Sequence, residues 1–148
     1  MVRCSWFVVC DSLIVKKGEK RMEKIKSYKD LRIWQMGVGL VKIVYDFTNK
    51  FPKSELYCLT SQIRRSAVSI PSNIAEGFLR HGTKEIVHFL YMALGSCGEL
   101  STQVEISSML TYLNVSEKMV ICEEIDHVSR MIRKLIKVLS SQTNHEPR

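Results

Sequence analysis

Apolar residues recur every three or four positions from Ser27 to Ser141, and polar residues fill the positions between them. This period is that of an amphipathic α-helix. In the first segment, which begins near Ser27, the apolar residues form two neighbouring stripes: Leu31, Trp34, Val38, Val41 and Tyr45 in one, and Ile33, Leu40, Val44, Phe47 and Phe51 in the other. The two stripes predict a helix with a wide buried face, capped by the Ser27 hydroxyl. Pro52 ends it, because the residue before a proline is disfavoured in the α conformation.

A second helix is predicted from about Leu56 to Leu79, with an apolar face made of Leu59, Ile63, Ala67, Ile70, Ile74 and Phe78. Pro71 lies inside this segment, where a proline removes one backbone hydrogen bond and commonly kinks the helix. Because the apolar period continues through Pro71, we expect a bend between Ala67 and Pro71 and no break.

A third helix, capped by Thr83, is predicted to reach about Tyr112 and to be the longest of the four. Its apolar residues keep a heptad rhythm, and small residues cluster in its middle: Ala93, Gly95, Ser96, Cys97, Gly98 and Ser101. Each glycine costs a helix about 1 kcal/mol relative to alanine. We therefore expect a neighbouring helix to approach this patch closely.

A fourth helix begins at Ser116, after a turn at Asn114. Acidic residues lie early in it and basic residues late (Arg130, Arg133, Lys134 and Lys137), an order that suits the helix dipole. Four amphipathic helices with short connections predict an all-α fold, an antiparallel up-down four-helix bundle. No stretch alternates with the period of two that a strand requires.

The bundle is assigned to residues 22–141, preceded by an extension at 1–21 that is disordered or non-native and followed by a flexible tail at 142–148. We expect the natural start to be Met22, because helical periodicity begins just after it. The codons for Lys17, Gly18 and Glu19 can also spell a ribosome-binding site upstream of Met22. An N-terminus at Met1 in the mass spectrum of the native protein would contradict this.

The net charge of the 148 residues is +7, from 22 Lys and Arg against 15 Asp and Glu. A basic excess favours polyanionic partners such as RNA, DNA or an anionic membrane surface. Residues 1–21 contribute five of these cations and two acids, so the remainder carries a milder excess of +4. No apolar stretch is long enough to span a bilayer, and we expect no membrane partner.

Side-chain patterns that carry catalysis, metal binding or cofactor binding are missing from the sequence. The five cysteines include no C-x-x-C pair, which argues against a disulfide framework or zinc ligands and favours a reducing cytoplasm. The four histidines lack the spacing of a di-iron bundle. Gly37-Val38-Gly39 has no third glycine at position 42 and follows no strand, so it is no nucleotide loop. We expect a protein that is not an enzyme and needs no cofactor.

One face of the second helix is unusually polar without being a mixture of Glu and Lys. The stripe consists of Gln62, Arg65, Ser69, Ser72 and Glu76, flanked by Arg64 and Asn73. We favour the interpretation that these side chains satisfy each other and the backbone freed by Pro71, or pair across a subunit interface. The other interpretation is direct binding of a ligand.

Four cations are the candidate nucleic-acid contacts: Arg64, Arg65, Arg80 and Lys84. A guanidinium group donates two hydrogen bonds to one phosphate, and no aromatic residues are interleaved for base stacking. Arg64 and Arg65 point about 100° apart on a helix, so one can face phosphate while the other braces a neighbouring helix. The competing account is that both form ion pairs with acids such as Glu76 or Glu99 of a neighbouring helix or subunit.

The runs from Ser27 to Leu31, Leu59 to Arg65, Ser69 to Phe78 and Phe89 to Ser96 resemble the bacterial four-helix bundle family named after proteins encoded in intervening sequences of 23S rRNA. The resemblance covers about Ile25 to Leu139. Cys58 stands where the family usually has glycine, and Leu79 and His81 alter the following turn.

The resemblance implies a ring-like homopentamer. It also implies kinship with the accessory protein of diversity-generating retroelements, which binds nucleic acid and works beside a reverse transcriptase. A reverse transcriptase is thus an expected partner where one is encoded next to this chain. Two functions remain open: a nucleic-acid-associated oligomer with a basic face, or a structural oligomer whose polar stripe serves assembly alone.

Overall fold

A computed structural model describes residues 27–143 of the chain. The expectations for residues 1–21, for a start at Met22 and for the tail from 144 onward lie outside this range. Four α-helices account for most of it: α1 (Arg32–Thr48), α2 (Leu59–Leu79), α3 (Thr83–Met109) and α4 (Val115–Thr143). Two short 3₁₀ helices, Tyr28–Asp30 and Lys53–Glu55, precede α1 and α2. No strand occurs between residues 27 and 143, so the all-α prediction is confirmed.

The helices pack in a cyclic order, α1 on α2, α2 on α3, α3 on α4 and α4 on α1. Residues early in α2 contact residues late in α3, and residues late in α2 contact residues early in α3. The Ser66 hydroxyl donates to Gln103 Oε1 at 2.7 Å, near the start of α2 and the end of α3. Gly77, near the end of α2, packs on Phe89, near the start of α3. An ion pair between Lys50 and Glu117 likewise joins the end of α1 to the start of α4. Neighbouring helices are therefore antiparallel.

The first helix differs from its prediction at both ends. Ser27 does cap, since its Oγ accepts from Lys29 N at 3.3 Å and its N–H donates to Asp30 Oδ2 at 3.0 Å. Leu31 has an extended backbone, with ψ 119°, so the Ser27 cap belongs to the 3₁₀ helix. The helix α1 starts at the next residue, Arg32. α1 ends at Thr48, before Pro52 is reached, and the chain turns so that the Phe51 ring packs against Tyr112 with centroids 5.4 Å apart.

One apolar stripe of α1 lies in the core, and the other lies there only in part. Ile33, Leu40 and Val44 of the first stripe are buried. Of the second stripe, Leu31 is buried, and Trp34 and Val41 pack against the core, whereas Val38 and Tyr45 are exposed. The buried face is therefore wide, as predicted, but narrower than the two full stripes.

Pro71 is buried inside a continuous α2, as predicted. Its ring lies against Gly37 of α1, where an added Cβ would come within 3.3 Å of Pro71 Cβ. The ring thus packs in the contact between α1 and α2, and the expected bend stays a prediction.

The last two helices begin one residue earlier than their sequence signals suggested. Gly82, with φ 118°, is the N-terminal cap of α3 in place of Thr83, because only glycine adopts this conformation without strain. Asn114 caps α4, its Oδ1 accepting from Glu117 N at 2.9 Å. With 29 residues against 27, α4 and not α3 is the longest helix, so that prediction was wrong.

The small-residue patch of α3 faces two directions. Ala93, Ser96 and Cys97 are buried against neighbouring helices. Gly95 and Gly98 lie on the outward face, and a Cβ added to either would meet nothing within 4 Å. The expected close approach of a helix to these two glycines does not occur within the bundle.

Candidate nucleic-acid interface

Arg64 is a brace between α2 and the end of α1. Its Nε donates to Thr48 Oγ1 and its Nη2 to Asn49 Oδ1, both at 2.9 Å. The guanidinium also lies over the Tyr45 ring, 4.6 Å from the centroid. Two of its five N–H groups thus bind neutral partners, and within the described residues Arg64 forms no ion pair with Glu76 or Glu99. Of the two arginines, this is the one that holds a neighbouring helix.

Arg65 is exposed and makes no ion pair within the described residues. Around it, Gln62 is exposed, and the side chains of Ser72 and Asn73 turn back onto their own helix. Ser72 Oγ donates to the Val68 carbonyl at 2.8 Å, and Asn73 Nδ2 donates to the Ser69 carbonyl at 2.9 Å. Ser72 of the stripe and the flanking Asn73 are thus engaged with the α2 backbone near Pro71.

Arg80 and Lys84 flank the turn between α2 and α3. Arg80 Nη2 bonds Glu76 Oε1 at 2.5 Å, one helical turn back, and its guanidinium lies 5.3 Å from the Phe89 centroid. Both members of this ion pair are about half exposed, so solvent screens it strongly. Lys84 is exposed without an ion pair within residues 27–143. The turn presents two cations and one partly compensating acid.

The structure does not bring the four candidate cations together. Fifteen residues of α2 separate Arg65 from Arg80, which at 1.5 Å per residue is about 22 Å. Arg64 and Arg65 lie toward the end of the bundle where α1 finishes. Arg80 and Lys84 lie at the opposite end, beside the start of α1.

Charge is segregated between the two ends of the bundle. We define the basic end as residues 27–37, 72–96 and 129–143, which the antiparallel packing places together. It holds eight Lys and Arg against three Asp and Glu. The other half holds six against eight and contains the two ion pairs between helices, Lys50 with Glu117 and Lys118 with Glu105. The cations of the basic end are largely without acidic partners.

Two of the three described thiols are disfavoured as nucleophiles. Cys58, Cys97 and Cys122 are free, and burial raises the pKa of the Cys97 and Cys122 thiols. At neutral pH both therefore stay protonated, and the thiolate is the reactive form. No group of three or more His, Cys, Asp or Glu converges as a metal site within residues 27–143. None of the described helices combines the length and apolarity needed to cross a membrane.

The model of the 23S rRNA-intervening sequence protein family matches residues 29–134. The chain belongs to this family. A crystal structure of a protein of unknown function from the S23 ribosomal protein family of Bacteroides thetaiotaomicron superposes on it with a TM-score of 0.67. The two sequences are 17% identical, and the match covers 71% of this chain and 95% of that one. At this identity the likeness concerns the fold. Among curated proteins, none matches the chain.

Sequence reasoning did not recognise as a surface feature the largest cationic cluster that residues 27–143 of this 23S rRNA-intervening sequence protein family member carry. Arg130, Arg133, Lys134 and Lys137 are all exposed on α4, and their order was attributed to the helix dipole. α4 continues to Thr143 and has no basic residue in its last turn, whereas the dipole acts within the last turn. The dipole therefore does not explain these cations. The signal that could have revealed them is their spacing of three, four and seven residues, which places all four on one face.

Proposed function

We propose that this member of the 23S rRNA-intervening sequence protein family is a non-catalytic, self-associating RNA-binding protein of the cytoplasm. The observation that carries the proposal is the basic end, where exposed cations outnumber acids and most have no ion-pair partner. Phosphate contacts dominate the affinity of proteins for nucleic acids, and unpaired cations are the groups that make them.

Arg80 and Lys84 are the proposed phosphate contacts at the α2–α3 turn. One Nη of Arg80 is held by Glu76, which fixes the side chain while leaving further N–H groups of the guanidinium for a phosphate oxygen. Arg65 contributes a weaker contact about 22 Å away. Arg64 is assigned no phosphate contact, because its hydrogen bonds to Thr48 and Asn49 hold the guanidinium against the end of α1. Such binding is directed at the backbone, tolerant of sequence and weakened by salt.

The test is retention of RNA by the intact chain in a native gel at low salt. We expect a shifted band that disappears as salt is raised, and a weaker shift for Arg80→Ala/Lys84→Ala. The matched control is Lys42→Ala/Lys53→Ala, which removes two exposed cations from the opposite half of the bundle and should leave the shift unchanged. Absence of any shift for the intact chain at low salt would refute RNA binding.

Self-association is supported by large apolar side chains that the bundle leaves outside its core. Met92 and Ile106 on α3 are 46% and 40% exposed, and Val38 and Tyr45 on α1 are exposed as well. A contiguous exposed apolar patch marks a subunit interface, and we propose these side chains as the members of such patches. We propose a homopentamer, in which five basic ends act together.

The alternative function is a structural oligomer that binds no nucleic acid. The same exposed apolar side chains favour it, together with Gly95 and Gly98, whose open surface would admit a helix of another subunit. An oligomer that retains no RNA at low salt would support this alternative over the first proposal.

A further inference from the structure

We propose that the outward face of α4 from Arg130 to Lys137, bordered by Tyr91 of α3, is a binding site for single-stranded RNA. The inference rests on the RNA-binding function proposed above and assigns it a site and a substrate class.

The four cations of this site form a continuous strip. Arg130, Arg133, Lys134 and Lys137 are exposed and span about 10 Å along α4, with about 5–6 Å between neighbours on one face. None makes an ion pair within the described residues. Asp126 lies one turn before Arg130, in a favourable order for pairing, yet the two form no salt bridge. The strip is thus available to an external polyanion.

Neither structural explanation of the strip holds. The last basic residue, Lys137, lies six residues before the end of α4, beyond the reach of the helix dipole. A solvated helix face stabilises itself by alternating acids and bases at spacings of three and four, but this face has four bases and no acid from Arg130 to Lys137. Like charges at these spacings repel one another, so the strip weakens the isolated helix.

The packing of α3 against α4 places Tyr91 beside the strip. The ion pair between Lys118 and Glu105 fixes the register of the two antiparallel helices. Tyr91 lies fourteen residues before Glu105, and Ile132 lies fourteen residues after Lys118, so Tyr91 is level with Ile132. Arg133 is the next residue and lies about 60° around α4 from Lys118, which places it on the α3 side of the helix.

The Tyr91 ring is free to stack on a base. It is 57% exposed and makes no ring contact with another described residue. Gly95 lies one turn further along α3 and carries no side chain, so the space beside the ring is open. A base could lie on the ring while the cations of α4 bind the phosphates that follow.

This combination selects single strands over duplexes. An aromatic ring stacks on unpaired bases of any sequence, and a basic groove beside it follows the backbone. In a duplex the bases are already stacked inside the helix, so Tyr91 would have no partner and only the cations would contribute. The result is binding that tolerates sequence and prefers single-stranded RNA.

The test is the fluorescence anisotropy of a labelled 20-nucleotide single-stranded RNA and of the duplex of equal length, titrated with the full chain at several salt concentrations. We expect Lys134→Gln/Lys137→Gln to lower the salt slope for the single strand by about 1.4, since each lost phosphate contact removes about 0.7. Lys42→Gln/Lys53→Gln carries the same change in charge and should leave the slope unchanged. Tyr91→Ala should weaken single-strand binding about tenfold and duplex binding little, and Tyr91→Phe should restore it.

Three outcomes would overturn the inference. Equal slopes for the α4 variant and its control, with RNA bound by both, would place the RNA elsewhere and leave the proposed function standing. If the intact chain binds no RNA at low salt, both the proposed function and this inference are wrong. Binding of phosphatidylserine vesicles through Lys134 and Lys137, with no RNA bound, would make the face a membrane contact. Circular dichroism of each variant shows whether it is folded.

Discussion

Arg64 and Arg65 are adjacent in the chain but have different surroundings. The two side chains point about 100° apart around α2. Arg64 points toward the end of α1 and contacts Thr48, Asn49 and Tyr45, whereas Arg65 is exposed to solvent. The sequence predicts that one arginine braces a helix while the other is free. It cannot tell which, because the partners of Arg64 lie about 15 residues away in the chain.

Arg64→Ala should therefore lower the free energy of unfolding by about 1–2 kcal/mol, through two lost hydrogen bonds and the lost contact with Tyr45. Arg65→Ala, at an exposed site without such partners, should change it by no more than about 0.5 kcal/mol. Urea denaturation of both variants measures the difference. Equal losses of stability would show that Arg64 does not brace the two helices.

Gly77 and Gly39 differ in the space that an added side chain would find. A Cβ at Gly77 would lie 2.9 Å from Phe89 Cβ, which is fixed to the α3 backbone, so Gly77→Ala forces α2 and α3 apart. We expect a loss of about 1–3 kcal/mol. At Gly39 of α1 an added Cβ meets nothing within 4 Å, so Gly39→Ala should stabilise the helix by about 0.5–1 kcal/mol. Thermal unfolding measures the melting temperature of each variant. A change in the same direction for both variants would contradict the close approach of α2 and α3 at Gly77.

At the scale of the element, α4 is fixed at its first turn by a reciprocal cap and an ion pair. Asn114 N donates to Glu117 Oε2 at 3.0 Å, and Glu117 also pairs with Lys50 at the end of α1. The hydrogen bond from Lys50 and the backbone N–H of Asn114 hold the pKa of Glu117 below its ordinary value of 4.5.

The pH dependence follows from the direction of this shift. A carboxyl group with a lowered pKa stabilises the fold when ionised, so its contribution is complete above pH 4.5 and disappears as the pH falls through the folded pKa. Glu117→Gln keeps an acceptor for the cap but removes the charge. Wild type should be more stable than Glu117→Gln at pH 7, and the two should converge as the pH falls below the lowered pKa of Glu117. A stability gap independent of pH would show that the ion pair contributes nothing.

The elements themselves could be predicted from the sequence, and their ends could not. The apolar period locates four helices because each must bury one face, and this requirement leaves a repeating trace in the chain. The ends depend on single contacts, such as the conformation of Gly82 or the Asn114 side chain, and neighbouring residues such as Thr83 and Ser116 carry the same capping signal. The sequence attributes the cationic strip of α4 to the helix dipole, and only the observed end of the helix shows that the strip lies before the last turn.

At the scale of the whole molecule, the apolar surface outside the core predicts association. We expect light scattering to give a multiple of the monomer mass of 17.1 kDa, five copies in the proposed ring. Met92→Glu/Ile106→Glu should reduce this to the monomer by placing charge in the contact, whereas Met119→Glu, an exposed methionine on α4, should not. A monomer at micromolar concentration would contradict self-association.

We propose that bound RNA lies on the basic end of the bundle. Ultraviolet crosslinking of bound RNA to the full chain, followed by mass spectrometry of the peptides, tests this most directly. Crosslinks should fall in the peptides containing Tyr91, the turn from Arg80 to Lys84, and α4 from Arg130 to Lys137. Crosslinks confined to the opposite end, around Met109 to Lys118, or none above a control without RNA, would contradict it.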